Sequence, residues 1–334
     1  MGDPIKSVSV IVPLRNERSN VDHFVSDLAA QDFQGDLEVL VADGASDDGS
    51  IERLGVAAGE AGLPLQVIDN AAGWVSAGLN ACIREARGDL IVRLDCHSRY
   101  PYDYLRRCAE VSEQTGAWNV GGRLVPTGIS TTERAVACAM DSPFGGIGWT
   151  RFSGDDPVET DTVTFGAFRR EVFERVGMFD ETLVRNQDDE FNMRLRAAGG
   201  TIVLDPAITV GYRPRGSLGG VWRQYFEYGL WRAPVMIKHR RIATLRGVVP
   251  LVFVLGTGGL LAAAPRSRMA RRLLTAESLA YGSLAAFFAA RGVHRREESW
   301  TLLPGVLAAF PAFHVGQGSG QVVGLMRALR REQR

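Results

Sequence analysis

Four short β-branched runs alternate with helix-length segments over the first 94 residues, and this rhythm restricts the fold more than any other feature. The runs cover residues 7–13, 37–42, 64–68 and 90–94. Each is short enough for a buried strand, and each gap is long enough for a crossover helix. Strands joined that way lie parallel with right-handed connections, so the expected class is α/β with a Rossmann-like, mostly parallel central sheet. No Gly-x-Gly-x-x-Gly follows the first run, which argues against a dinucleotide fingerprint, and no Gly-Lys-Ser/Thr loop marks a nucleoside triphosphatase.

Polar residues gather where these strands end. The fourth run leads into Asp95 and His97, which a period of two would put on one face of the chain. The carboxyl ends of strands in an open α/β sheet form the usual ligand crevice. A carboxylate and an imidazole there are candidate ligands for a divalent cation bound to phosphate, with imidazole better suited to Mn2+ than to Mg2+. The second run ends at Asp43-Gly44-Ala45-Ser46-Asp47-Asp48-Gly49-Ser50, which suits a tight turn and a helix cap. After the third run, Gly73 opens a helical stretch containing Ser76 and Asn80, and helix N-termini favour anions. The same stretch also fits a helix packed closely on the sheet through Gly78.

Taken in order, Pro13-x-Arg15-Asn16-Glu17, Asp43-Gly44-x-Ser46-x-Asp48-Gly49, Gly88-Asp89 and Asp95-x-His97 resemble the nucleotide-binding half of family 2 glycosyltransferases of the GT-A fold. Ser76-Ala77-Gly78-Leu79-Asn80 and residues 94–101 are similar to the succinoglycan-type exopolysaccharide glucosyltransferases, and the likeness runs over about residues 5–235. It implies a nucleotide-sugar site built from Pro13, Arg15, Glu17, Asp43, Ser46, Ser76, Asn80, Asp95 and Gly166. It also implies Mn2+ or Mg2+ on Asp95 and His97. Asp188 aligns with the catalytic base and Arg194 with its basic partner, while Asp189 and Glu190 are possible support. Gln187 stands where the family usually has Glu. One base and one cation on opposite sides of the anomeric carbon predict a single displacement with inversion.

Composition changes beyond this region. The whole chain balances 38 Lys+Arg against 38 Asp+Glu, yet from Arg213 onward 19 basic residues face 5 acidic ones. Basic residues interleaved with apolar runs suit anionic lipid and a lipid diphosphate acceptor rather than nucleic acid. The runs at 247–265, 273–290 and 301–326 suggest two or three short membrane helices, although Glu277 inside the second needs a partner. Residues 222–232 mix aromatics with Arg and suit an interfacial helix, with Gln224, Tyr228 and Trp231 as acceptor-side candidates. Glu227 replaces the Arg of the Gln-x-x-Arg-Trp motif of processive relatives, which argues against processive synthesis.

The expected organisation is a GT-A catalytic domain at 1–215, an amphipathic connector at 216–245 and a C-terminal helical membrane module at 246–334. Residues 141–161, rich in Gly, Pro and Asp, suggest a lid over the substrate. No leader is expected, since residues 1–6 are polar and the next apolar run is strand-like. The resulting expectation is an enzyme on the cytoplasmic membrane, catalytic domain toward the cytoplasm, moving a hexose from a UDP-sugar to a lipid-linked acceptor beside polysaccharide-assembly proteins. Two alternatives are a sugar nucleotidyltransferase, for which the N-terminal Gly-rich Arg-Lys signature is missing, and a non-catalytic membrane scaffold. Four dispersed cysteines give neither a zinc site nor a disulfide framework.

Overall fold

Hydrophobic β-branched residues form the strands on which every functional side chain is mounted. The structure, a computed structural model, describes residues 3–145, 154–240 and 247–332. Its chain forms two units: residues 1–125 with 153–212, and residues 126–152 with 213–334.

The first unit begins with β1 (Ser7–Leu14), α1 (Val21–Ala29), β2 (Asp36–Asp43), α2 (Ser50–Ala61), β3 (Leu65–Asp69), α3 (Val75–Glu85) and β4 (Leu90–Arg93). β2 pairs with β1 and with β3, and β1 with β4, all in parallel. The chain then adds β5 (Ser98–Arg99), α4 (Tyr104–Thr115) and β6 (Asn119–Pro126). After the residues of the second unit come β7 (Val158–Glu159), β8 (Thr164–Arg169), α6 (Glu171–Val176), α7 (Gln187–Ala197) and β9 (Ile202–Tyr212). The sheet order is β3-β2-β1-β4-β8-β6-β9-β5, with β7 paired to β9.

The expectation of a mostly parallel sheet is therefore corrected to a mixed one. β8 is antiparallel to both β4 and β6, and β9 is antiparallel to β5 and β7. The reason is topological. The chain leaves the sheet after β6 and rejoins it at β7, and β8 then runs between β4 and β6, antiparallel to both. One core lies under Val8, Val10, Val12, Phe24, Leu54 and Tyr104; the other joins Ile11, Leu79, Ile91, Phe168 and Phe191. Each strand feeds both because successive side chains point to opposite faces.

The second unit is helical: α5 (Thr131–Met140), α8 (Leu218–His239), α9 (Val249–Ala263), α10 (Arg268–Arg295) and α11 (Leu303–Glu332). α5, within the 1–215 range expected for the catalytic domain, groups with the C-terminal helices. Arg134 of α5 pairs with Glu298, and Arg296 bonds both Asp141 (3.2 Å) and the Pro126 carbonyl (2.7 Å). Gly229 lets α8 and α11 approach closely, since a Cβ there would lie 2.0 Å from the Gln317 carbonyl oxygen.

The three apolar runs separate. Val306, Ala309, Phe310 and Phe313 of α11 are buried in the unit itself, so this run is a packed helix. Among the described residues α10 is the one helix long and apolar enough to cross a membrane, and only 11% of its apolar window is buried. α9 is shorter, with 15 residues. Thr257 of α9 donates to the Glu277 carboxylate of α10 at 2.8 Å, which gives that acid a partner. Within α8, Gln224 donates to the Tyr228 hydroxyl at 2.9 Å. The lid expected at 141–161 lies partly outside the described residues.

α5 starts with a complete capping box, in which Ser130 accepts from the Glu133 amide and Glu133 accepts from the Ser130 amide. The Ser130 and Ile129 amides, together with Arg213, hold the Glu133 carboxyl down from the usual 4.5 to about 2. A depressed folded-state value gives stability that is present above about pH 4.5 and lost as pH falls toward 2. Glu133→Gln should lower the melting temperature at pH 7 and flatten its decline between pH 4.5 and 2, read by thermal melts across that range.

Candidate active site

β1 lies at the centre of the parallel half, where the chain builds outward first to β2 and β3 and then, on its other edge, to β4. This is a topological switch point, and the crevice outside the strand ends opens between β1 and β4. Residues from both edges meet there. His97 Nδ1 and Glu17 Oε1 are 3.1 Å apart, linking the segments that follow β4 and β1. Arg15 follows β1 and passes the glycines of the next two loops; a Cβ at Gly44 or Gly73 would lie 3.4 Å from its side chain.

The loops after β1 and β2 lock together through small polar side chains. The Asn16 amide donates to Ser46 Oγ (3.0 Å), the Glu17 amide to Ser50 Oγ (2.8 Å) and the Arg18 amide to the Asp48 carboxylate (3.0 Å). Ser46 Oγ donates to Asp43 at 2.6 Å, and Asn16 adopts a left-handed conformation with φ 55°. The motifs at 13–17 and 43–50 therefore form one rigid rim. Asp43 and Ser46 face each other within it rather than standing as two separate contacts.

β4 ends at Arg93, and a turn follows in which the Ser98 amide donates to the Asp95 carbonyl at 3.1 Å. The chain is not extended between Asp95 and His97, so the expected sharing of one strand face is corrected. His97 is turned to Glu17 instead. Tyr100 holds the turn from beneath: its hydroxyl accepts from the Asp95 amide (2.8 Å) and donates to the Asp95 carbonyl (3.1 Å). Burial and the nearby Asp95 push that phenol well above the usual range, so it stays a neutral donor and acceptor. Asp27 fixes the far side, accepting from the Tyr100 amide (2.9 Å) and from two guanidinium nitrogens of Arg99 (both 2.7 Å).

Asp188, Asp189 and Glu190 occupy the first turn of α7, where carboxylates suit the helix dipole. Their surroundings sort them. Glu190 is fully buried and paired with Arg194, whose guanidinium also donates to the Val176 and Met178 carbonyls at 2.7 Å. Glu190 and Arg194, expected as possible catalytic support, staple α7 to the end of α6 and the segment after it. Asp189 accepts from Thr162 Oγ1 at 3.2 Å, in a chain that continues through Asn192 to Asn119 of β6. Asp188 keeps 37% of its side chain exposed and is faced by Arg93.

Sequence reasoning missed Arg93. Its buried guanidinium lies 3.4 Å from Asp95 Oδ1 through Nη2 and 3.6 Å from Asp188 Oδ2 through Nη1. Burial opposes its charge, but Asp95 and Asp188 together raise its pKa further. The signal was available: an arginine inside an apolar strand needs an acidic partner. Asp95 and Asp188 thus face the same guanidinium, although 93 positions separate them.

Three other residues expected at the nucleotide sugar have protein partners in the structure. Ser76 and Asn80 are buried and face protein. Ser76 Oγ donates to the Leu183 carbonyl (3.1 Å), while Asn80 donates to the Phe179 carbonyl (2.9 Å) and Glu181 (2.8 Å) and accepts from the Phe179 amide (2.9 Å). They anchor the loop that leads into α7. Gly166 lies inside β8, where a Cβ would be 2.3 Å from Asn119 Oδ1, so its smallness admits a side chain of the sheet. Gly78 does pack α3 on the sheet, its Cβ position lying 3.0 Å from Ala42 Cβ.

A divalent cation fits this donor set in one way. Among the described residues no three His, Cys, Asp or Glu side chains converge as a protein-built metal cage. Asp95 is a hard oxygen donor at the crevice, opposed by one loosely held guanidinium. Mg2+ and Mn2+ sites commonly join one or two carboxylates to substrate phosphates, which suits Asp95.

The sequence profile of "Glycosyl transferase family 2" matches residues 9–177. The chain belongs to this family. Its transferases act on nucleotide sugars, and the fold is that of the GT-A glycosyltransferases. The chain is 33% identical over 265 residues to succinoglycan biosynthesis protein ExoA of Rhizobium meliloti (strain 1021), covering 78% of this chain and 80% of that protein. An undecaprenyl-phosphate 4-deoxy-4-formamido-L-arabinose transferase of Pseudomonas syringae pv. syringae (strain B728a) is 29% identical over 114 residues, 33% of this chain and 34% of that one. Among solved structures, the mannosyltransferase PcManGT from Pyrobaculum calidifontis, in complex with GDP-Man and Mn2+, superposes with a TM-score of 0.65 at 20% identity, covering 93% of this chain and 87% of that one.

Asn80→Ala should lower the melting temperature by several degrees, because removing a buried hydrogen-bonding amide costs about 1–3 kcal/mol. Nucleotide binding measured well below the transition should stay within about twofold of wild type by calorimetry, since Asn80 faces Phe179 and Glu181. A selective loss of nucleotide affinity at unchanged melting temperature would return Asn80 to the donor site.

Proposed function

We propose that this family 2 enzyme is a membrane-associated, inverting hexosyltransferase that moves a sugar from a nucleoside diphosphate to a lipid-linked acceptor in surface-polysaccharide assembly. One observation carries the reading: the carboxylates of Asp95 and Asp188 contact the two ends of a single guanidinium. Residues in that relation can flank one glycosyl group.

In this mechanism Asp188 accepts the proton of the acceptor hydroxyl as its oxygen bonds to the anomeric carbon. The bond from that carbon to the diphosphate oxygen breaks in the same displacement, and the configuration inverts. Its exposed position at the head of α7 leaves Asp188 accessible to an incoming acceptor. Asp95, with His97 and Glu17 nearby, would hold a divalent cation whose charge offsets that of the departing diphosphate. Arg15, Asp43 and Ser46 line the rim assigned to the nucleoside.

A lipid-linked acceptor is supported by the arabinose transferase relative, whose name specifies undecaprenyl phosphate. Exopolysaccharide assembly is supported by the succinoglycan relative. Membrane association rests on α10 and on the exposed apolar side chains of α9 and α10, among them Val252, Leu255, Leu279 and Phe287. The catalytic unit is assigned to the cytoplasmic side, where nucleotide sugars are made.

Asp188→Asn should reduce transfer at least about a thousandfold, as loss of a general base does at the upper end of its usual effect, while leaving nucleotide affinity within a few fold. Thermal stabilisation by UDP- and GDP-hexoses with Mn2+ first identifies the donor, because a ligand of the folded state raises its melting temperature. Retained activity in Asp188→Asn would reassign the base. Leu279→Gln combined with Phe287→Gln, both at exposed positions, should weaken sedimentation with anionic phospholipid vesicles without lowering the melting temperature. Unchanged sedimentation would remove this face of α10 from the membrane.

A further inference from the structure

Arg93 is the one site residue that neither a family motif nor the proposed chemistry accounts for. Its guanidinium rests on the Phe165 ring at 5.8 Å, and Nε is buried with no hydrogen-bond partner among the described residues. Phe165 is held under it in a left-handed conformation (φ 53°), and its carbonyl accepts from Tyr104 at 3.0 Å. The scaffold beneath the guanidinium is rigid and aromatic. Its contacts above are different: 3.4 and 3.5 Å to Asp95 and 3.6 Å to Asp188, all longer than the 2.7–2.9 Å of a strong charge-assisted bond. By comparison, Arg99 grips Asp27 at 2.7 Å through two nitrogens. Arg93 is therefore buried over an aromatic ring and loosely held by the carboxylates.

We propose that Arg93 is a positioning residue that competes with the divalent cation for Asp95. The inference rests on the assignment of Asp95 as the cation carboxylate. When Asp95 binds a divalent cation, the guanidinium is left to Asp188 and restrains the base at the distance it needs. A fixed positive charge beside Asp95 repels a second cation, so Arg93 weakens cation binding while it supports turnover. The site then binds its cation well only when the diphosphate supplies additional negative charge, and cation and donor load together.

The sign of the effect separates this role from a structural one. A side chain that merely held Asp95 in place would, on removal, loosen the cation. A competing charge would, on removal, tighten it. Mn2+ affinity is measured by calorimetry on the full-length protein in detergent, with and without saturating UDP, for wild type, Arg93→Met, Arg93→Gln, Arg93→Lys and Asp95→Ala. The expected result is that Arg93→Met and Arg93→Gln bind Mn2+ at least about fivefold tighter without UDP, and that the cooperativity between Mn2+ and UDP shrinks. Arg93→Lys, which keeps the charge, should restore affinity close to wild type. With the donor found in the stabilisation screen, kcat should fall in the neutral variants while KM changes little.

Unchanged or weaker Mn2+ binding in both neutral variants would overturn the proposal. If one neutral variant does not fold, the other decides, and if neither folds, an Arg93→Lys that binds Mn2+ much more weakly than wild type overturns it. Asp95→Ala tests the underlying assignment separately: wild-type Mn2+ affinity in that variant would overturn the cation role of Asp95 and the competition with it.

Discussion

Arg93 carries its charge where charge is costly. It occupies the last position of a four-residue buried strand, on an aromatic ring, with little access to solvent. A guanidinium in such a place needs anionic partners, and removal of either would leave an uncompensated charge. The two partners come from distant parts of the chain, one from the turn after β4 and one from the head of α7. Their meeting constrains much of the first unit. β8 must lie beside β4 to present Phe165, α7 must dock with its N-terminus toward the strand ends, and the loop before α7 must be held down. Ser76, Asn80 and the Glu190–Arg194 pair accomplish the last of these. Side chains that resemble ligand contacts in sequence also restrain the loop before α7 and the helix that carries Asp188.

The parallel half of the sheet was legible because its information is local. Val8, Val10 and Val12 alternate within β1, the turn residues at 43–50 follow β2 directly, and each crossover helix has its own apolar face. The antiparallel half was not legible. Whether β8 runs with or against β4 depends on where the chain re-enters after residues of another unit, which no spacing within residues 164–169 records. Asp188 is singled out in the sequence by its motif and its order relative to Asp95, whereas the surroundings that separate it from Asp189 and Glu190 depend on Thr162 and Arg194. Arg93 left a trace that was overlooked. A charged residue between Val92 and Leu94 contradicts its apolar surroundings, and such a contradiction commonly marks a site.

The helical unit shows the same division between what composition displays and what contacts decide. The runs at 247–265, 273–290 and 301–326 are similar in hydrophobicity, yet they have different surroundings. α11 turns Phe310 and Phe313 into the unit and brings its glycines against α8. α9 and α10 keep Val252, Leu255, Leu279 and Phe287 exposed. An apolar surface of that extent is unfavourable in water and calls for a cover. Glu277, which counts against a membrane position in sequence, is bonded to Thr257 and so links α9 to α10.

Under the membrane association proposed above, the basic residues bear on how that pair of helices would meet lipid. Arg266, Arg268, Arg271 and Arg272 flank the turn between α9 and α10, and Arg291, Arg295 and Arg296 lie at the other end of α10. Arg296 is engaged by Asp141 and the Pro126 carbonyl, so it belongs to the protein interior. Arg271 donates to the Ala264 carbonyl and closes the turn. A hairpin that crossed the bilayer fully would carry the turn's arginines to the far side, against the preference of basic residues for the cytoplasmic face. A hairpin lying in the interface would keep both basic clusters among headgroups and bury only the apolar faces of α9 and α10. The second arrangement needs no charge to cross and is the one that the distribution of arginines favours.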